Sequence, residues 1–468
     1  MELKDLFLTP IYLLIFYAIA SRIKGKHFSD HPFAPYFMPA LYVKFVGAIG
    51  AGMVYWFYYG YGDTRGFYKR GVYLAEALMD NPSHFFHLMF PSNDGNASME
   101  VMNILHSLRA LEDPASYFMF KISAILSFFT FSTYTCIALF FAFFSFLSSL
   151  YFYKVLYRRF PELYKEIAIA IFFIPSVFFW GSGLFKDSLT MSALFLVAGA
   201  SFNIVERYKT QKSFFILLFG AYLILNIKAY ILLSFAPCFG LYLFLSYNYK
   251  IKSVLLRGML LPFFLIVGIG TGYFLLQQVS SYAGGWSLEN IEDKAYDMQQ
   301  WHNQVKIYEM EGKGSGGGSS YSVGAIGDFS ITGMLKSFPK VIVITFFRPF
   351  LWEVSSPTML FTSLEGLFFL LLTLKIVWKN GFRIFFSGIF NNPIVLFFLS
   401  FALIFGFAVG YTSFNFGALS RYKIPALPFY LLFLYFSSYF MREKTNQQEK
   451  PIPQKQNLNN LHTQHALN

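Results

Sequence analysis

Residues 415–440, NFGALSRYKIPALPFYLLFLYFSSYF, set an Arg and a Lys immediately before an apolar run long enough to cross a bilayer. Positive charges beside a membrane helix normally lie on the cytoplasmic side. Fixing the side on which Arg421 and Lys423 lie therefore orients the whole chain.

The rest of the sequence is of the same kind. Of 468 residues 56% are hydrophobic and 13% charged, which places the chain in a bilayer rather than among soluble domains. The 62 Phe and 32 Tyr suit a large lipid-facing surface with aromatic belts at its edges. Cys136 and Cys238 sit inside apolar runs, so they offer neither a disulfide framework nor a metal cluster. The start, MELKDLFLTPIYLLIFYAIASRIKGK, has an acidic second residue and no small-residue cleavage site, so a cleaved signal peptide is not expected.

Apolar runs of spanning length begin near Leu6, Met38, Thr133, Ile167, Ser188, Ser213, Ala229, Leu255, Pro357, Pro393 and Ile424, about eleven in all. The fold class expected is an all-α polytopic membrane protein, because backbone in lipid must satisfy its own hydrogen bonds. Neither tandem repeats nor an inverted half-to-half pattern is visible. The loops SRIKGK, YKVLYRR, ERYKTQK, YNYKIK and KIVWKNGFR and the tail from MREK all fall on one face. They carry more than half of the 37 Lys and Arg but only about a quarter of the 25 Asp and Glu. That face is read as cytoplasmic, and the net charge of +12 as topology rather than a nucleic-acid footprint. The C-terminus is then inside, with residues 441–468 a Gln- and Asn-rich disordered extension.

Arg421 and Lys423 consequently fall on the outer side, against the rule that the other loops follow. Two readings stand: they snorkel to headgroups, or they are kept for use despite the cost of charge near a membrane. The same face holds two long hydrophilic segments, about 60–118 and 277–340. In the first, Phe67, Gly71, Leu74, Ala75 and Leu78 recur at helical spacing, with Arg65, Lys69, Arg70 and Glu76 on other faces. This predicts an amphipathic helix suited to lying in the interface. Asp63 at its start is either an N-cap carboxylate or a general base for an acceptor hydroxyl. In the second, the run GKGSGGGSSYSVGAIGD lacks the GxxxxGK[ST] pattern of a phosphate loop and reads as a flexible hinge beside a membrane site.

Further charges lie at the outer ends of spans: Lys186 and Asp187, Lys228, and Arg348 and Glu353; Lys44 and Glu365 lie deeper. Each could be part of a structural ion pair. Together they suggest a ring of cations with interspersed carboxylates, suited to a lipid-linked phosphate or pyrophosphate. Carboxylates are available to a divalent cation, but no spacing dictates a metal site, and no other cofactor is indicated.

GDT followed by an aromatic-rich helix, PSVFFWGSGLFKDS, FFRPFLWE and NFGALSRYKIPALPF together resemble bacterial multi-spanning proteins of surface-polysaccharide gene clusters. They are similar to the GT-C superfamily of membrane glycosyltransferases and the related O-antigen polymerases. The resemblance implies a polyprenyl-phosphate- or polyprenyl-diphosphate-linked sugar donor, a glycan or lipid acceptor, an active site on the outer face of the cytoplasmic membrane, and an acidic base in the first large outer loop. Asp63 is the residue at that position. Lys186, Asp187, Arg348, Glu353, Arg421 and Lys423 are the expected substrate-binding set. The chain departs from the family in carrying the run from Leu6 to Ala20, an added span or an interfacial helix, ahead of that loop. A flippase for a lipid-linked saccharide and a non-enzymatic envelope scaffold remain as alternatives.

Overall fold

The computed structural model describes residues 3–91, 97–248, 331–381, 389, 392–413 and 415–449. Regular structure among them is helical, with no strand: α1 Leu3–His27, α2 Ala34–Met53, α3 Asp63–Asp80, α4 Phe85–Met89, α5 Met99–Ser107, α6 Pro114–Thr130, α7 Tyr134–Arg159, α8 Tyr164–Phe172, α9 Pro175–Trp180, α10 Lys186–Val205, α11 Thr210–Lys228, α12 Tyr230–Asn248, α13 Ile331–Phe347, α14 Pro357–Asn380, α15 Pro393–Ser413, α16 Phe416–Tyr422 and α17 Ala426–Glu449.

Eight of these helices are long and apolar enough to cross a membrane, or nine if α16 and α17, bent by 65° at their junction, are counted as one span. The protein is an all-α, multi-pass membrane protein. At 25 residues, α1 is long enough to span, about 37 Å at 1.5 Å per residue. The run near Ile167 is not one helix but two, α8 and α9, broken at Phe173–Ile174. The run near Leu255 and most of the 277–340 segment, hinge included, lie outside the described residues; residues 331–340 are the beginning of α13. Where the sequence suggested disorder from residue 441, α17 continues through Glu449.

The centre of the bundle is α10, whose spanning window is 83% buried, against 11% for the peripheral α1. Small residues make this possible. Gly199 and Gly220 bring α10 close to α7 and α11, where an added Cβ would meet Tyr151 or Val197 within 3.0 Å. The aromatic residues do more than face lipid. Phe429 of α17 stands 4.6 Å from Phe401, 5.9 Å from Phe152 and 6.0 Å from Phe398, knitting α7, α15 and α17 through offset and edge contacts.

At the end of the bundle where α7 begins, α3 and α6 form a second layer. The apolar face of α3 does not lie free in the interface as the sequence suggested. Phe67, Gly71, Leu74, Ala75 and Leu78 are buried, and Gly71 lets the helices approach so closely that a Cβ there would meet Ser123 Cβ at 2.3 Å. Two bonds then fix α3 to the start of α7: Thr64 Oγ1 lies 2.8 Å from Tyr134 Oη, and Tyr68 Oη donates to the Ser132 carbonyl at 2.8 Å.

Two buried polar side chains serve helix ends. Backbone groups freed at a helix end inside a bilayer have no water to turn to. Glu365 Oε2 in α14 accepts from the Ser176 N–H at 2.8 Å, at the start of α9. Lys423 Nζ, at the α16–α17 bend, donates to the Thr345 carbonyl at 2.9 Å, in the last turn of α13. A carboxylate meets a helix N-terminus and an ammonium a helix C-terminus, each the favourable sign for the macrodipole. At the far end of α9, Ser188 Oγ and Ser145 Oγ donate to the Trp180 and Gly181 carbonyls at 3.1 and 2.6 Å.

Candidate functional site

Asp63 opens α3 but does not cap it. The N-cap is Gly62, whose φ of +125° is a glycine conformation and whose missing Cβ would otherwise meet the Tyr55 ring at 2.4 Å. No side chain caps the helix, and the Asp63 carboxylate bonds to another element instead. Its side chain is 57% exposed, and Oδ2 accepts from Arg421 Nη1 at 2.9 Å.

Arg421 is the hub. It lies in α16, its side chain 11% exposed, and its Nε donates to Oδ2 of the buried Asp187 in the first turn of α10. Oδ1 of Asp187 takes a second cation, Lys228 Nζ from the last residue of α11, at 2.5 Å. Four charged residues far apart in sequence thus form one line: Asp63, Arg421, Asp187, Lys228. Beside it, Lys186 Nζ lies 3.7 Å from Oδ1 of Asp113, which itself caps α6 by accepting from the Ser116 N–H at 3.0 Å. Burial of Asp113 works against its ionisation, but the Ser116 hydrogen bonds and the Lys186 ammonium outweigh this and hold its carboxyl below the ordinary value.

Aromatic rings enclose the cations. Phe185 lies 5.2 Å from the Arg421 guanidinium, Tyr422 lies 4.6 Å from Lys228 Nζ, and Phe67 lies 5.8 Å from Lys186 Nζ. A cavity of about 190 Å³ opens against Arg421, lined by Tyr55, Tyr59, Trp180, Phe416 and Tyr422.

Of the residues singled out from sequence, Arg421 meets Asp63 and Asp187, Asp187 meets Lys228, and Lys186, the neighbour of Asp187 in the chain, pairs separately with Asp113. Arg348 and Glu353 form their own pair: Nε reaches both carboxylate oxygens, at 3.1 and 3.0 Å, and Nη2 contacts Oε1. The Glu353 carboxyl is held below its ordinary value by Arg348, with burial opposing and the Phe350 N–H assisting. Arg348 also covers the Phe416 ring at 5.3 Å, so this pair borders α16 rather than joining the line. Lys423 does not belong to the set: the bend turns it into the core, where it serves Thr345. Sequence reasoning missed Asp113, although the Asp-Pro pair at 113–114 is a helix-start signal. It also missed Tyr55, which nothing in the sequence distinguishes from its aromatic neighbours. Among the described residues no group of His, Cys, Asp and Glu is arranged to hold a metal ion.

Comparison with protein families, curated proteins and solved structures finds no match to the chain.

Proposed function

We propose that the protein is a glycosyltransferase or polysaccharide polymerase of the bacterial cytoplasmic membrane, transferring a sugar or oligosaccharide from a polyprenyl-(di)phosphate carrier to an acceptor hydroxyl on the outer face, with its C-terminus inside. The observation that carries this reading is one exposed carboxylate, Asp63, gripped by a buried arginine at the edge of an aromatic cavity. Asp63 takes the proton of the acceptor hydroxyl as that oxygen attacks the anomeric carbon, and the carrier phosphate leaves with the bonding pair. Arg421 holds the carboxylate in place through its Nη1 hydrogen bond. The cavity offers ring faces and hydroxyls suited to a sugar, which has both apolar and polar sides.

The phosphate contact falls to Lys186 more than to Arg421. Both Nε and Nη1 of Arg421 already serve carboxylates, and Arg348 is held in a two-pronged pair. Lys186 has the loosest partner, at 3.7 Å, and that partner, Asp113, is 51% exposed. A phosphate can displace it at the least cost, with an ammonium suited to the task as a point charge.

A transporter of lipid-linked saccharide is the second reading. Lys44 favours it, being fully buried in α2 with no hydrogen-bond partner among the described residues. The other deep charges weigh against it, because Glu365 and Lys423 are committed to helix ends. Purified protein supplied with polyprenyl-linked donors and an acceptor glycan tests the proposal. A transferred product supports the enzyme; passage of the donor across proteoliposomes without transfer supports the transporter.

A further inference from the structure

A crevice of about 530 Å³ lies between α4 and α6 on one side and α7, α10 and α11 on the other. Phe85, Phe140, Phe141, Phe144 and Leu189 make its walls, and Lys121 is the one charged residue on its lining. At the mouth, Phe90 is 68%, Ile125 46% and Tyr222 51% exposed. There the crevice merges with a stripe of α11, Phe214, Phe215, Leu218 and Leu225, that faces out of the bundle where bilayer lies.

Lys121 is what an unoccupied seam between helices does not require. Its Nζ donates to the Met89 carbonyl at 3.1 Å and stands 5.5 Å from the Phe118 ring and 5.6 Å from the Tyr117 ring. It has no ion pair among the described residues, unlike Lys186, Lys228, Arg348 and Arg421. Asp113, at the head of α6, is tied to the start of α10. Lys121 is about two turns further along α6, roughly 12 Å. A half-buried ammonium held by a carbonyl and two ring faces keeps its attraction for an anion.

The geometry points to a binding site for an anionic phospholipid of the surrounding bilayer, one acyl chain in the crevice and its phosphate on Lys121. The ligand is distinct from the carrier of the transfer reaction. The contacts of Lys121 are Met89, Tyr117 and Phe118, and it shares no partner with the Asp63–Arg421–Asp187–Lys228 line. The site therefore stands whether or not transfer is the activity. Its consequence is structural support: the lipid fills the space beneath α6, the helix on which α3 and Asp63 rest.

A second groove supplies an internal control. Pro10, Leu13, Tyr17, Tyr42, Phe45 and Val46 line a wholly apolar furrow between α1 and α2 with no cation on it. In nanodiscs containing phosphatidylglycerol or phosphatidylcholine, each with a photoactivatable group in the acyl chain, labelled peptides are mapped by mass spectrometry. Phosphatidylglycerol is expected to label residues 118–126 and 219–223 about fivefold more than phosphatidylcholine, the weight of one cation beside an anionic lipid. The α1–α2 furrow should take both lipids equally. Lys121→Gln should reduce phosphatidylglycerol labelling to the phosphatidylcholine level while leaving the furrow unchanged, and Lys121→Arg should retain it. Ile125→Trp should lower both lipids in the crevice. Equal labelling by the two lipids in the wild type overturns the site, as does full labelling of Lys121→Gln. So does clearance of the label by unlabelled polyprenyl phosphate at concentrations where unlabelled phosphatidylglycerol has no effect, since the crevice would then belong to the carrier.

Discussion

Arg421 Nη1 donates to Asp63 Oδ2 at 2.9 Å, joining the two ends of the membrane domain across 358 positions of sequence. The bond makes an exposed carboxylate dependent on a buried cation, and that cation dependent on a second, buried carboxylate, Asp187. Disturbing any member should be felt by the others.

Asp63→Asn should lower transfer by a factor of about 10² to 10⁴, the usual contribution of a general base, while the melting temperature stays near wild type because the side chain is mostly exposed. Asn can still accept from Arg421. Turnover close to wild type in a donor-to-acceptor assay would remove Asp63 from the chemistry.

Arg421→Ala leaves the buried Asp187 with Lys228 as its remaining cation, so the loss should approach the roughly 3 kcal/mol typical of breaking a buried pair, read as a lowered melting temperature. Arg421→Lys keeps the charge but cannot bridge two aspartates, and should fall between the two in both stability and turnover. Full substitution by Lys would mean that Arg421 does no more than carry charge to the interface.

Glu365→Leu removes the acceptor for the Ser176 N–H at the α8–α9 break and should cost about 1–3 kcal/mol. Glu365→Gln retains an acceptor oxygen and should cost less. Loss of activity in Glu365→Gln with unchanged thermal stability would contradict this anchoring role and favour a proton-handling residue in a transporter.

The Arg348–Glu353 pair should stabilise the protein only where Glu353 is ionised. Its folded pKa lies below the ordinary 4.5, so its contribution is complete above that value and is lost as pH falls through the depressed one. The melting-temperature difference between wild type and Glu353→Gln should be constant from pH 7 to about 5 and shrink below about 4. A difference that grows on acidification would assign the shift the wrong sign.

Many of the spans were legible in the sequence because hydropathy is a sum over neighbours in the chain. The helices beginning at Leu3, Tyr134, Lys186, Thr210 and Pro393 fall within a few residues of where the apolar runs place them. The α8–α9 break had its signal in Pro175, which lacks an N–H and disfavours helix at Ile174, but hydropathy alone does not register it. What makes that break tolerable is Glu365, a residue 189 positions from Ser176.

The charges divide in the same way. Sequence identified Asp63, Lys186, Asp187 and Arg421 as unusual, because a charge close to a membrane is costly wherever it lies. It could not say which would meet. Arg421 and Lys423 are two residues apart with the same sign, yet the 65° bend at Ile424 and Pro425 sends Arg421 to Asp63 and Asp187 and Lys423 to Thr345. The cost of a charge is set by its immediate surroundings and is visible in one dimension. Its partner is set by how helices distant in sequence pack, and tertiary structure alone decided that.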